Sequence, residues 1–121
     1  MKDAAARTIP IPFPKPRKPR ETDILRAIHD GVIASGRACV WRNNVGRATY
    51  GTARVQYGLG LGSADLVGLL VPSGRGVAIE VKTPVGRLSP VQVAWRGAWE
   101  RAGGLYVLAH SVEEAIDGLV F

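Results

Sequence analysis

The stretch Val77-Ala-Ile-Glu80-Val-Lys82 limits this chain more than any other, because a carboxylate and an ammonium sit two residues apart in an apolar, β-branched run. That composition reads as a strand. Side chains alternate along a strand, so Glu80 and Lys82 share one face while Val77, Ile79 and Val81 point to the other. The turn residues Pro72-Ser-Gly-Arg-Gly76 join this run to a second apolar one, Asp65 to Val71. So short a connection makes the two an antiparallel hairpin and returns Asp65 to the end that holds Glu80. If Asp65 falls opposite residue 80 or 82 it shares their face; a register shifted by one puts it on the other. Gly68 leaves room for a bulge that would alter this register.

Other elements group around this hairpin. A helix is expected from Glu21 or Thr22, with Ile24, Leu25, Ile28 and Val32 as its apolar stripe. Glu21 lies over that stripe, either as a carboxylate favoured by the helix dipole or as a group reaching into a site at the end of the core. Ala38 to Trp41 reads as a short strand, with Cys39 a small core residue on it. Residues 43–63 hold five glycines among Arg, Tyr and Gln, which predicts a hairpin or a mobile loop. Gly58-Leu-Gly-Leu-Gly62 lacks the spacing and context of a phosphate loop and reads as flexible backbone near a ligand. Ser89-Pro90 opens a helix that runs to Ala102 and stops at Gly103-Gly104, its inward positions Val91, Trp95, Ala98, Trp99 and Ala102. Leu105 to Ala109 is a further strand, and Ser111-x-x-Glu114 is a capping box for a last short helix. The order αβββαβα predicts an α/β fold: three antiparallel strands, a crossover helix and a fourth strand added in parallel, a mixed four-stranded sheet.

The chain has 121 residues, about one domain, and 46% hydrophobic with 21% charged residues excludes a disordered chain. Its longest uncharged apolar stretch is far short of the ~18 residues that span a bilayer, and no apolar run serves as a secretory signal, so a cytoplasmic protein without membrane contact is expected. One cysteine rules out an intramolecular disulfide and a cysteine-based zinc cluster, and fits a reducing compartment. Residues 1–20 carry six basic side chains against one acid, so most of the net charge of +6 belongs to this proline-rich segment. Five prolines between residues 8 and 20 predict an extended arm ahead of a domain spanning 21–121. No acid lies between Asp30 and Asp65, while Arg37, Arg42, Arg47 and Arg54 do. Two positive zones on a nearly neutral body point to a polyanionic partner, nucleic acid first.

With Asp65, Glu80 and Lys82 gathered at one strand end, the two carboxylates repel and one of them tends to protonate unless a divalent cation lies between them. Oxygen ligands favour a hard cation, Mg²⁺ or Mn²⁺, which can activate water and neutralise charge on a phosphodiester. Lys82 is then placed to orient or deprotonate that water. Gln92 faces inward on the helix that follows and suits a water or phosphate oxygen near Lys82; an inward Gln is also a common structural hydrogen-bonder. Glu21 offers a third carboxylate. Arg42, Asn43, Asn44, Arg47, Arg54 and Arg87 suit phosphate-backbone contacts, Tyr50 and Tyr57 could stack on an exposed base, and His29 and His110 read as structural. No organic-cofactor motif is present.

Asp65 followed by Glu80-Val-Lys82 resembles the bipartite signature of the PD-(D/E)XK nuclease superfamily, whose restriction-endonuclease-like core has a similar αβββαβ order. The span from Glu21 to about Glu114 resembles its VRR-NUC domain, through Trp41-Arg-Asn-Asn44, Gly62-Ser-Ala-Asp65-Leu66, Ile79-Glu-Val-Lys-Thr-Pro84, Gly86-Arg-Leu-Ser-Pro90, Gln92, Trp95 and Gly103-Gly104. Ser63-Ala64 stands where a bulkier pair is expected. The resemblance implies a metal-dependent endonuclease acting on DNA. Asp65, Glu80 and the Val81 carbonyl would hold the metal, Lys82 would position or activate water, and Gln92 and Glu21 would complete the site. Small members of the family look like phage or bacterial homodimers that cut branched DNA, resembling Holliday-junction resolvases. The alternative is a catalytically silent DNA-binding module with the nuclease fold.

Overall fold

Leu25, Ile28 and Val32, spaced three and four apart, are buried on one face of α1 (Glu21–Ser35) in the computed structural model, which describes residues 20–120. The proline-rich arm lies outside the described residues, save Arg20 at the helix N-cap. Gly36 ends α1 at φ 71°, a left-handed cap that any side chain would strain. The chain then forms β1 (Ala38–Arg42), β2 (Gly46–Tyr50), β3 (Ala53–Tyr57), β4 (Leu66–Leu70) and β5 (Gly76–Val81). After these come α2 (Pro90–Arg101), β6 (Leu105–Ala109) and α3 (Val112–Asp117).

Strands β1, β4, β5 and β6 make one mixed sheet in that order, with β1–β4 and β4–β5 antiparallel and β5–β6 parallel. The expected four-stranded core is therefore present. Residues 43–63 resolve the open choice as a hairpin, because β2 and β3 pair only with each other. Alternation divides that hairpin: Arg47, Thr49, Arg54 and Gln56 share one face, while Tyr50, Val55 and Tyr57 lie on the other. The glycine run after it is a set of turns. Gly58, Gly60 and Gly62 all have positive φ, and a Cβ on Gly62 would strike the Val91 carbonyl.

Helices α1 and α3 cover one face of the sheet, packing Leu25, Ile28 and Val32 against Val40, Leu66, Val77, Ile79 and Val107. Burying each such aliphatic side chain contributes about 1.5–3 kcal/mol. On the opposite face α2 lays Trp95 and Trp99, stacked with ring centroids 5.0 Å apart, over Ala64, Val67, Ala78 and Tyr106. The small Ala64 is fully buried beneath this cluster.

Three expectations are corrected. Cys39 is exposed, because it points to the α2 face of β1, which that helix does not cover. Val91 is 49% exposed and Ala98 and Ala102 are exposed too, because the inward stripe of α2 follows Gln92, Trp95 and Trp99. Ser111 does accept from the Glu114 amide, but Glu114 turns back to the His110 amide at 2.8 Å, one residue earlier than a capping box requires.

Gly68 makes no bulge: the β4–β5 ladder runs unbroken from Leu66↔Ile79 to Leu69↔Gly76. Its small size serves close packing, since a Cβ there would drive into the carbonyl of Cys39 on β1. Gly68→Ala is expected to cost about 1–3 kcal/mol of stability through this overpacking, read as a lower urea midpoint. A midpoint unchanged from wild type would contradict the packing described.

Candidate active site

One end of the sheet collects the C-terminal ends of β1, β5 and β6, the start of β4, and the first turns of α1 and α2. Continuing the β4–β5 ladder one step beyond Leu66↔Ile79 places Asp65 opposite Glu80, the register that gives both one face. Asp65 Oδ2 accepts from the Val81 amide at 2.8 Å, which fixes the carboxylate against the strand end. Glu21 comes from the other side of the sheet on the first turn of α1. Glu21, Asp65 and Glu80 each bring a carboxylate oxygen to within 4.8 Å of the other two. Glu21 thus combines a place in the first turn of α1 with proximity to Asp65 and Glu80.

Glu80 is 2% exposed. Its Oε2 accepts from Gln92 Nε2 at 3.3 Å and lies 3.7 Å from Lys82 Nζ. Its Oε1 is buried with no hydrogen-bond partner. An orphaned buried carboxylate oxygen beside two further carboxylates is a donor set suited to a hard divalent cation. Burial first, and then the charge of Asp65, push the Glu80 carboxyl up to about 8, against the smaller opposing pull of Lys82. The metal-free site therefore holds a proton that a cation would displace.

This has a consequence for stability. Glu80 is protonated in the fold up to about pH 8 but ionises near 4.5 when unfolded. Its stabilising contribution is complete below pH 4.5 and is lost as pH rises towards 8. Thermal melts in chelator are expected to fall steadily from pH 5 to pH 8, and Mn²⁺ to restore the loss at the alkaline end. A melting profile flat over that range would contradict the buried, metal-free carboxyl.

Gln92 takes the structural of the two roles read for it, with both ends of its amide bonded to protein groups. Its Oε1 accepts from the Ser89 amide at 2.9 Å, completing a capping box with the Ser89 side chain. The cap thereby locks the amide so that Nε2 faces Glu80. Asn43 is spent on scaffolding. Its Nδ2 donates to Ser63 Oγ and to the Ala64 carbonyl, both at 2.8 Å, and its backbone amide donates to the Asp65 carbonyl at 2.8 Å. It therefore ties the loop carrying Asp65 to the end of β1. Arg42 ends β1 opposite Leu66, exposed at the edge of the site, with Asn44 exposed two residues on. Arg87 is exposed on the loop between β5 and α2, while Arg47 and Arg54 ride on the separate hairpin.

One residue of the site neighbourhood, Tyr106, escaped the sequence reading, while His110, read there as structural, holds a loop beside the site. Tyr106 is 5% exposed, its hydroxyl has no hydrogen-bond partner, and the Arg96 guanidinium lies 4.9 Å above its ring. Burial and then the Glu80 charge hold its phenol well above the usual range. The available signal was a tyrosine at the centre of a buried strand. His110 follows the β5–β6 pair Val81↔Ala109 and so stands beside Lys82. Its Nδ1 lies 2.9 Å from Glu114 Oε1 and its Nε2 3.3 Å from the Gly86 carbonyl. Both partners only accept, so the protonated ring makes both bonds and pins the loop that bears Arg87. The Glu114 hydrogen bond accordingly raises the His110 pKa. Among the described residues no helix is long and apolar enough to cross a membrane.

Residues 24–113 match the family model of the VRR-NUC domain. A solved structure described as a VRR_NUC domain superposes with a TM-score of 0.55 at 18% identity, covering 80% of this chain and 90% of that one. No curated protein matches the chain.

Proposed function

Since the chain belongs to the VRR-NUC domain family and carries its nuclease-type fold, we propose that it is a Mg²⁺- or Mn²⁺-dependent endonuclease that hydrolyses DNA phosphodiester bonds. The observation that carries this reading is the buried, unpartnered Oε1 of Glu80 beside the carboxylates of Asp65 and Glu21. Asp65, Glu80 and the Val81 carbonyl would hold the cation, with Glu21 closing the set from α1. A divalent cation bound there supplies a Lewis acid and lowers the pKa of water.

The chain's own groups do the rest. Lys82, held by its ion pair with Glu80, directs N–H donors at the attacking water and at charge that develops on the phosphoryl oxygens. Gln92, its amide locked by the helix cap, fixes Oε2 of Glu80 and so would leave Oε1 for the cation. The water oxygen forms a bond to phosphorus as one bridging P–O bond breaks. The water's proton passes to solvent, and the departing oxygen takes up a proton from solvent and leaves as a hydroxyl. Arg42, Asn44, Arg47, Arg54 and Arg87 supply sequence-independent backbone contacts, and Asn43 supports them from behind.

One such site cuts one strand, so the paired cuts of a branched substrate call for a homodimer. We assign branched DNA, a Holliday junction foremost, as the substrate, in a phage or bacterial cytoplasm and in replication or repair. The test is product analysis on labelled four-way junction, flap, duplex and single strand with Mg²⁺, Mn²⁺ or chelator. Symmetric paired nicks in the junction, lost in chelator, are expected from a species that sediments as a dimer. Cutting of flaps or ends alone would remove the junction assignment. Binding without products on every substrate would leave a silent DNA-binding module.

A further inference from the structure

On the α1 side of the same sheet end lies a cavity of about 210 Å³ lined by Thr22, Leu25, Arg26, His29, Arg42 and Leu66. Its position relative to the acidic cluster is set by the chain: Thr22 follows Glu21 on the helix and Leu66 follows Asp65 on the strand. Arg42 pairs with Leu66, and the alternation that turns Ala38 and Val40 towards α1 turns Arg42 the same way. Arg26 comes to the opposite wall one helical turn beyond Thr22.

Two guanidiniums thus face one concavity, and neither makes a hydrogen bond or ion pair with any described residue. An arginine fork left without a carboxylate is set to bind an oxyanion bidentately. His29 adds a ring whose Nδ1 is taken by Asp30 at 3.0 Å, leaving Nε2 as its free polar atom. Thr22 adds a hydroxyl. The counter-charges nearby are Glu21, Asp23 and Asp30 on α1 and Asp65 on the sheet; Glu21 and Asp65 belong to the metal cluster, and Asp30 is occupied by His29.

We infer that this cavity is a phosphate subsite, in which Arg26 and Arg42 grip a phosphoryl group of the nucleic-acid strand next to the one held at the carboxylate cluster. The inference rests on the nuclease reading and deepens it by giving the strand a second fixed point on the α1 side. The phosphoryl group is either an internal phosphodiester or a terminal monophosphate; the chemistry of the grip is the same.

The test uses the full chain in chelator, so that binding is read without cleavage. Affinity for duplexes ending in 5′-phosphate or 5′-hydroxyl is followed over a salt series for wild type, Arg26→Ala and Arg26→Lys. Arg26 is exposed, so its replacement leaves the core intact. Arg26→Ala is expected to lower the slope of log K against log salt by about one and to weaken binding about tenfold, with Arg26→Lys recovering the slope. Loss confined to the 5′-phosphate duplex assigns a terminal phosphate, and equal loss on both assigns an internal one. An unchanged slope for both duplexes overturns the subsite while leaving the nuclease reading intact. If wild type binds neither duplex, titration with inorganic phosphate decides the cavity through the NMR shifts of the Arg26 and Arg42 Nε–H groups: shifts uphold it, their absence overturns it.

Discussion

Glu80→Gln is expected to lower the single-turnover cleavage rate at least about a thousandfold, on the order of 4 kcal/mol of barrier, while leaving DNA affinity within about twofold. The amide fills the same space and keeps an oxygen for Gln92 to donate to, so the fold and the α2 contact survive. It removes the negative charge of the unpartnered Oε1, and with it one of the three carboxylates that would hold the metal. The same change is expected to stabilise the metal-free protein at pH 8, because a buried carboxyl that resists ionisation is gone. Opposite signs for activity and stability mark a residue kept for its chemistry. A variant that cuts at the wild-type rate, measured on labelled DNA with saturating Mn²⁺, would remove Glu80 from the mechanism.

Lys82→Met is expected to slow cleavage about a hundredfold with Mn²⁺ still bound, the size of effect seen when one donor to a developing oxyanion is lost. Met keeps the length and apolar stem of the side chain, which is only 17% exposed, and deletes the ammonium. That ammonium is the one group pulling the Glu80 carboxyl down, so its loss sends the carboxyl higher still. Mn²⁺ binding, which must displace that proton, should therefore need higher pH in the variant. Rates from pH 6 to pH 9 with Mn²⁺ occupancy measured alongside check this. Unshifted Mn²⁺ binding with an unchanged rate would leave Lys82 as a structural ion-pair partner of Glu80.

Much of this arrangement is written in alternation along two strands. The placing of Glu80 with Lys82 followed from period two, and the short turn at residues 72–76 left a single open question, the register. The ladder answered it by setting Leu66 against Ile79. The Ser89-Pro90 signal located the helix that delivers Gln92, but not that the cap itself orients the amide, since that depends on where Oε1 finds a donor. Cys39 shows where local pattern stops: alternation told which face it takes, and only the tertiary reach of α2 told that this face is bare. The surroundings of Tyr106 and His110 were invisible for a related reason. Their neighbours Glu80, Gly86 and Lys82 come from a parallel strand and a loop more than twenty residues away. Of the six residues expected to contact phosphate, Asn43 is accounted for as the tie behind Asp65.

The most direct test of the acidic cluster as the catalytic centre is a titration in which bound Mn²⁺, counted by electron paramagnetic resonance, and the single-turnover rate of DNA cleavage are measured on the same samples at pH 8. The account predicts a rate that rises in proportion to Mn²⁺ occupancy, vanishes in chelator, and stays flat for Glu80→Gln. Cleavage that persists in chelator, or reaches its full rate before any Mn²⁺ is bound, would contradict it.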